Sequence, residues 1–322
     1  MHIRDGFLTP DVCLGTGVIA LGALAWSVRQ LRGSLADRTV PLTGMTASLI
    51  FACQMVNFAL PPLPVSGHLL GGVLAAALLG PWAGLLAISL VLMIQLAVFY
   101  DGGWTVLGAN VVNMGVVGTW GGYAIYSALR SLLGTERRAT LIAAFLAAWL
   151  SVLAAATVFC IEFWLSHRGQ NYDYSLIFGW MVFLHCLIGI GEGLITAMVL
   201  GFVLVQRPDL LQPATGAGTV LSGVGRFTFA GIVAALGVAA FLAPFKSEYD
   251  DGLVAVAEGT GFSELGRVTK VLMLDDYQIP AFQDWPALSV AAAGIMGTLI
   301  VLGAALSLSW LIKRFRVPDP SS

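Results

Sequence analysis

The stretch SLIFGWMVFLHCLIGIGEGLITAMVLGFVLVQ, residues 175–206, decides the fold, because it is too long and too apolar for a soluble protein. His185 and Glu192 are its only acidic or basic side chains. About 20 apolar residues cross a bilayer as a helix, whose backbone groups are all hydrogen-bonded within the segment. The stretch therefore predicts a membrane-spanning α-helix.

The composition of the whole chain agrees with a membrane protein. Of 322 residues, 58% are hydrophobic and 11% are charged, against roughly 25% charged in soluble domains. The net charge is −2 and no basic tract occurs, so no nucleic-acid partner is predicted. The 4 cysteines occur singly without a CxxC pair, which favours neither a thiolate metal site nor a disulfide framework.

Further apolar runs predict an all-α polytopic membrane protein. The predicted spans are 11–29, 40–60, 68–80, 82–99, 107–130, 139–165, 175–206, 225–245 and 286–312. Most Lys and Arg residues fall on the cytoplasmic side if the N-terminus lies outside, which is the bias that sets orientation. We therefore expect an extracytoplasmic N-terminus and a cytoplasmic C-terminus, in a bacterial or archaeal cell membrane.

Two modules are predicted along the chain. Residues 1–207 hold seven spans with short loops, and the tract 208–224, rich in Gly, Pro, Ser and Thr, indicates a cytoplasmic linker. Residues 225–322 form a two-span hairpin around the acidic outer loop 246–285. That loop is either a solvated connection or a segment that gathers cations or contacts a metal site in the first module.

The first two residues carry the clearest chemistry. The free amine of Met1, the backbone nitrogen of His2 and the nearer ring nitrogen of His2 close two adjacent chelate rings around a metal ion. One position of a square remains, and His68, which the predicted topology places on the same outer surface, is its candidate ligand. Four nitrogens in a square suit Ni(II), Cu(II) or low-spin Co(II) rather than Zn(II) or Mg(II). Binding displaces protons, so capture should weaken as the pH falls.

Four motifs in order resemble one family of membrane proteins. They are MHIRDGFLTP at the start, SGHLLGG at 66–72, DGGWTVLGANVVNMGVVG at 101–118 and HCLIGIGEGLIT at 185–196. Together they resemble the CbiM/NikM family, the substrate-binding (S) components of energy-coupling factor transporters for cobalt and nickel. The resemblance covers nearly all of residues 1–207. The chain has Arg4 where the family usually has proline, which would stiffen the loop.

The resemblance implies a fold, a ligand set and partners. The fold is a seven-span bundle with the N-terminal loop tucked in from outside. The metal ligands are the Met1 amine, the His2 amide and imidazole, and the His68 imidazole, with Ni(II) or Co(II) as the transported substrate and no other cofactor. The implied partners are a transmembrane coupling (T) component of the CbiQ/NikQ type and two ATPase subunits of the CbiO/NikO type.

The C-terminal region resembles the small two-span companion of the same family, fused here in one chain. DDGLVAVAEGTGF, residues 250–262, is similar to its PDGLE-type segment, departing from it at Asp250 and Val254. The fusion favours nickel slightly over cobalt.

Several other polar residues are candidates for supporting roles. Asp5 is a candidate neighbour of the metal ligands, and Arg4 would mildly repel the ion unless Asp5 pairs with it. Asn110 and Asn113 are placed either to hydrogen-bond the His2 or His68 imidazole or to make packing contacts.

Ionisable groups within the spans are functional candidates by default. His185 and Glu192 share a helix face, where they either form interhelical hydrogen bonds or act in metal release or partner contact. The depth of His185 in its span predicts that it lies too far from the outer surface to reach the chelate. His167 is interpreted as a solvated loop residue.

Other functional classes find less support in the sequence. A secondary transporter or channel for divalent metal ions is the main alternative, although no paired intramembrane carboxylates or inverted repeat is apparent. An intramembrane hydrolase would need a nucleophile beside a base, for which Ser66 near His68 is the nearest approach. No GxxxxGK[ST] phosphate loop occurs, so we expect no enzymatic activity in this chain and ATP hydrolysis in separate subunits.

Overall fold

A computed structural model describes residues 2–34, 39–211, 224–267, 274, 277–282 and 284–315. Long apolar helices dominate these residues, as the apolar runs predict. The helices with the length and composition to cross a membrane are Pro10–Arg32, Pro81–Phe99, Arg137–Ser166, Tyr174–Gln206, Val224–Phe245 and Pro286–Arg314. The predicted number of nine spans stays a prediction.

The first two helices are α1, Pro10–Ser34, and α2, Thr39–Gln54. The prediction of a span over 40–60 was wrong at its C-terminal end. A short antiparallel hairpin of β1, Phe58–Leu60, and β2, Leu63–Gly67, follows α2 within a fold that is mostly helical, as predicted.

Prolines explain why the hairpin replaces a helix. Pro61 and Pro62 occupy the turn and Pro64 lies in β2. Proline lacks an N–H group and its ring clashes with the preceding turn of a helix, so this tract cannot continue α2.

The predicted third span, 68–80, becomes helical only at Gly72. Helix α3 covers only Gly72–Leu79, about 12 Å at ~1.5 Å per residue. Gly71 before it has a φ of 80°, a left-handed conformation that ends the extended segment 68–71 and that glycine adopts without steric cost. Helix α4, Pro81–Phe99, begins after Gly80 and crosses the bundle.

The centre of the bundle contains a long helix with a π-helical middle. It starts as α5, Leu107–Asn110, widens over Val111–Gly121 and continues as α6, Gly122–Leu133. Helices α7, Arg137–Ser166, and α8, Tyr174–Gln206, follow it.

Helices α7 and α8 pack closely along their length. A Cβ atom added to Gly189 or Gly193 of α8 would lie less than 3 Å from the side chain of Trp149 or Phe145 of α7. Small residues at a helix interface let membrane helices approach in this way.

The C-terminal region begins with α9, Val224–Gly237, which continues through a π turn and a short 3-10 turn to Phe245. After a connecting loop come α10, Gly252–Thr260, and the long α11, Pro286–Arg314. Helix α2 packs against α9 and α11 as well as against α3 and α4. The C-terminal helices therefore share a core with the N-terminal bundle.

The contact between α3 and the π-helical segment allows a test of this packing. A Cβ atom at Gly72 would lie 2.4 Å from the backbone carbon of Gly118, and backbone atoms cannot move aside as a flexible side chain can. We expect Gly72→Ala to lower the free energy of unfolding in detergent by about 1–3 kcal/mol. Gly179→Ala in α8, where a Cβ atom would meet nothing within 4 Å, is the control. Equal stability of the two variants would contradict this packing.

Candidate metal centre

His2 lies inside the protein, with 7% of its surface exposed. Its Nε2 atom is 3.2 Å from Oε1 of Gln95 in α4, and its Nδ1 atom is 3.2 Å from Oδ1 of Asp101. An amide oxygen and a carboxylate oxygen both only accept, so each nitrogen of the ring faces an acceptor. When a cation takes Nδ1, the ring nitrogen nearer the backbone, the single proton of the neutral ring stays on Nε2 and Oε1 of Gln95 accepts it.

His68 follows β2 and stacks on His2. The ring centroids are 5.1 Å apart and the ring planes are inclined by 21°. Nδ1 of His68 is 3.0 Å from the carbonyl oxygen of Leu69, and a carbonyl only accepts, so Nδ1 carries the ring proton. Nε2 therefore offers a lone pair, and the structure brings together two predicted ligands from distant parts of the chain.

Both imidazoles are held in their neutral form. Burial lowers the pKa of His2 and that of His68, because a charged ring loses its hydration inside the protein. A neutral imidazole is the form that binds a metal ion. The two rings are therefore ready to act as ligands at neutral pH.

Glu192 fixes the loop that carries His68. Its carboxylate accepts hydrogen bonds from the backbone N–H groups of Leu70, at 2.6 Å, and Gly71, at 2.9 Å. The side chain of Gln54 donates to the Leu70 carbonyl oxygen at 2.8 Å. Glu192 thus bonds to a loop rather than to a neighbouring helix, and it positions His68 from two residues away.

Asn110 holds the N-terminal segment in place. It accepts from the N–H of Ile3 at 2.8 Å and donates to the Ile3 carbonyl oxygen at 3.1 Å. Of the two roles predicted for Asn110, these bonds fit a packing contact, since the amide bonds the backbone of the residue next to His2 rather than an imidazole. Asn113 also lies elsewhere and donates to Glu162 at 2.8 Å.

Asp5 is the second anchor of this segment. Its carboxylate accepts from the backbone N–H of Trp104 and from both the N–H and the hydroxyl of Thr105, at 2.6–3.1 Å. These donors engage the Asp5 carboxylate, which therefore joins the N-terminal segment to the loop that precedes α5. Gly103 lies so near that a Cβ atom there would be 2.4 Å from the Asp5 nitrogen.

The prediction for His167 was wrong, whereas the predicted distance of His185 from the chelate stays a prediction. His167 is 4% exposed, and its Nε2 contacts the carbonyl oxygen of Phe7 at 3.0 Å, so it is a buried anchor rather than a solvated loop residue. His185 is 1% exposed and lies so close to Gly252 that a Cβ atom there would be 3.2 Å from its ring. The loops fold down into the bundle, so His185 lies near the residues that surround His68.

The acidic loop is not simply a solvated connection. Ser66 donates its N–H to the Asp250 carbonyl oxygen at 2.8 Å, and Oδ2 of Asp251 lies 4.0 Å from Nε2 of His68. The backbone N–H of Arg267 donates to the Asp5 carbonyl oxygen at 2.7 Å. The alternative prediction, that this loop contacts the metal site, describes these residues better.

Met1, the third predicted ligand residue, lies outside the described residues. Among the residues that are described, no three His, Cys, Asp or Glu side chains are grouped so that they could hold a metal ion. A site at His2 and His68 therefore depends on backbone and terminal nitrogens to complete it, which is the donor set that the sequence predicts.

Sequence reasoning missed four residues of this region. Gln95, Asp101, Asp251 and Tyr277 all lie next to a predicted ligand or to a neighbour of one. Gln95 is a lone polar residue in an apolar run and could have been recognised as an intramembrane polar group. The other three are loop residues whose proximity only the tertiary structure reveals.

The fold and the buried histidine pair define a multi-pass helical membrane protein with a polar centre at one end of the bundle. Residues 2–210 match the family described as CbiM, the cobalt uptake substrate-specific transmembrane region, and the chain belongs to this family. Residues 225–314 match the PDGLE domain. The prediction of a fused CbiM/NikM and PDGLE-type chain is confirmed.

Curated relatives and a solved structure are similar to this chain and agree with the family assignment. A putative fused nickel transport protein NikMN of Archaeoglobus fulgidus is 35% identical, covering 96% of this chain and 98% of that protein. The fused nickel transport protein NikMN of Rhodobacter capsulatus is 31% identical over 95% of this chain and 97% of its own length. A crystal structure of a truncated transition metal transporter is 28% identical with a TM-score of 0.57, covering 64% of this chain and 99% of that chain. The class of function is therefore transport of a transition metal.

The two hydrogen bonds by which Asn110 holds Ile3, here called the clamp, can be tested by hydrogen exchange. Asn110→Ala removes both hydrogen bonds to Ile3 and leaves a buried N–H without its acceptor, so the segment should open more often. We expect deuterium uptake in residues 2–8 to rise about tenfold. Asn113→Ala, which removes an amide bonded to Glu162 instead, should leave this uptake unchanged. Equal uptake in the two variants would exclude Asn110 as the clamp.

Proposed function

We propose that this chain is the substrate-specific membrane subunit of an ATP-driven importer of the energy-coupling factor type. It captures Ni(II) or Co(II) at the Met1 amine, the His2 amide and imidazole, and the His68 imidazole. The observation that carries the proposal is the stacked pair of buried histidines, brought together from distant parts of the chain. No catalytic step is assigned to the chain.

Chemistry supports a square-planar ion at this position. The two chelate rings formed by Met1 and His2 place three nitrogens in one plane, and His68 stands beside His2 to supply the fourth. This set suits Ni(II) and low-spin Co(II). Nickel is slightly favoured, because the similar fused chains are named as nickel transport proteins.

The topology of import follows from charge and from the position of the site. The N-terminus and the loop 246–285 face outside the cytoplasm and the C-terminus lies inside, as the distribution of Lys and Arg predicts. Residues 1–207 form the metal-binding module, 208–224 the cytoplasmic linker and 225–322 the companion module. Most of the linker, residues 212–223, lies outside the described residues.

Energy for import comes from partner subunits. The chain carries no phosphate-binding loop, so a transmembrane coupling (T) component and two ATPase subunits supply the driving step. Metal uptake that proceeds without ATPase subunits would instead favour a secondary transporter or channel.

The terminal amine is the first point to test. A short N-terminal extension converts the amine to an amide and buries extra residues, so we expect the full chain to lose stoichiometric Ni(II) and Co(II) binding in isothermal titration. The same extension at the C-terminus, far from the chelate in sequence, is the control and should leave binding intact. Equal binding by both extended proteins would refute the chelate.

The fourth ligand can be tested by combining two changes. His68→Ala should weaken Ni(II) binding by at least about tenfold. A glycine inserted between Met1 and His2 creates a chelate with four nitrogens from the terminus alone, so binding should persist without His68. Titration of the insertion variant with and without His68→Ala measures this independence. If His68→Ala has the same effect in both backgrounds, His68 is not the fourth ligand.

A further inference from the structure

Two carboxylates lie beside the histidine pair, one on each side. Oδ1 of Asp101 is 3.2 Å from Nδ1 of His2, and Oδ2 of Asp251 is 4.0 Å from Nε2 of His68. The exposed fractions of the two side chains are 29% and 16%. Nε2 of His68 carries a lone pair because Nδ1 is protonated, and Nδ1 of His2 offers one when Nε2 donates to Gln95. Both carboxylates therefore lie beside nitrogen atoms that would bind a metal ion.

Backbone contacts place Asp251. Ser66, two residues before His68, forms a parallel bridge with Asp251 and donates its hydroxyl to the Tyr249 carbonyl oxygen at 2.8 Å. Oδ1 of Asp251 accepts from the N–H of Val254 at 2.9 Å and so caps α10. With Oδ1 used for the cap, Oδ2 is the oxygen that faces His68.

The approach of this segment to α8 is close enough to require glycine. A Cβ atom at Gly252 would lie 2.8 Å from the side chain of Ile188 and 3.2 Å from the ring of His185. The backbone after Asp251 therefore rests directly on α8, which limits movement of the carboxylate towards or away from His68.

Tyr277 determines the position of the other carboxylate. Its hydroxyl donates to Oδ2 of Asp101 at 2.7 Å, which leaves Oδ1 for His2. The Tyr277 ring stacks on Phe99 with centroids 4.5 Å apart and planes inclined by 22°. Packing thus fixes the ring, and the ring fixes the hydroxyl that holds Asp101.

A metal ion bound at the two histidines would need nearby carboxylates to balance its charge and to orient its ligands. A divalent ion with one deprotonated amide ligand keeps a positive charge, and a charge buried without a counter-charge is costly. Groups that contact metal ligands also set their orientation and strengthen binding. Asp251 and Tyr277 both belong to the loop 246–285, so the two effects come from the same segment.

We propose that residues 249–254 and Tyr277 of this loop form one wall of the metal centre, with Asp251 as the counter-charge beside His68 and Tyr277 as the positioning residue that orients Asp101 against His2. This inference rests on the proposed capture of Ni(II) or Co(II) at His2 and His68. It assigns to the C-terminal half of the chain a direct part in the affinity for the metal.

Asp251 can be tested without disturbing the helix cap. Asparagine and serine cap helices about as well as aspartate but carry no charge. We expect Asp251→Asn and Asp251→Ser each to weaken Ni(II) binding by about 10–100-fold in titration of the full chain. Asp173→Asn is the matched control, because Asp173 caps α8 with the same contact, 3.0 Å to the N–H of Leu176, away from the centre. Unchanged affinity in both Asp251 variants, or equal loss in the control, would overturn the role of Asp251.

Tyr277 is tested by removing one oxygen atom. Tyr277→Phe keeps the stacked ring but frees Asp101, so we expect about tenfold weaker Ni(II) binding and a shifted ligand-field absorption band of the bound ion. The band reports the geometry at the metal, which a change in stability alone would not move. Tyr249→Phe, in the same loop but 52% exposed, is the control. An unchanged affinity and band in Tyr277→Phe would overturn the role of Tyr277.

The same titrations separate this inference from the proposed function. If His68→Ala loses binding while Asp251→Asn and Tyr277→Phe bind Ni(II) like the unmodified chain, the capture site stands and the wall is wrong. If the unmodified chain binds neither ion, or His68→Ala binds as well as it does, the capture site itself is wrong.

Discussion

The N-terminal segment is held by hydrogen bonds between its backbone and buried side chains, and the proposed capture of a metal ion at His2 requires the segment to stay in this place. Chain termini are usually mobile unless they are tied down. Here Asn110 satisfies both polar backbone groups of Ile3, and Asp5 is bonded to Thr105. His2, next to Ile3, is therefore ordered before any ion binds. Ordering that is completed during folding does not subtract from the affinity for a ligand.

The sequence predicts the helices well wherever apolar runs are uninterrupted, as over 175–206. It fails where backbone chemistry overrides hydropathy. The prolines after α2 make a hairpin out of a predicted span, and a left-handed Gly71 delays α3. Both failures lie within the segment that presents His68, so the irregular backbone is part of the site rather than a fault in a helix.

The candidate site, like the fold, could be predicted from the sequence only in part. His2 and His68 could be identified because the chelate follows from local covalent chemistry and from the family motifs. Their surroundings could not, because Asp101, Asp251 and Tyr277 come from loops whose approach depends on the whole fold. Asn110 and Glu192 were correctly recognised as important polar groups, but they bind backbone beside the histidines instead of the imidazoles. A polar residue within a span indicates that it has a partner, and only the tertiary structure identifies which one.

The two halves of the chain meet through backbone rather than through side chains alone. A Cβ atom at Gly6 would lie 2.0 Å from the Leu265 carbonyl oxygen, just as one at Gly252 would collide with α8. Such contacts are specific, because no rearrangement of side chains can replace them. Apolar side chains add to these contacts, because Leu253, Val256 and Phe262 are buried in the same core as Ile3 and Phe7. Joining the halves in one chain makes their association intramolecular, which raises the effective concentration of the loop at the proposed metal centre without adding a contact. The fusion thus strengthens an association that the same contacts would hold less firmly between separate subunits.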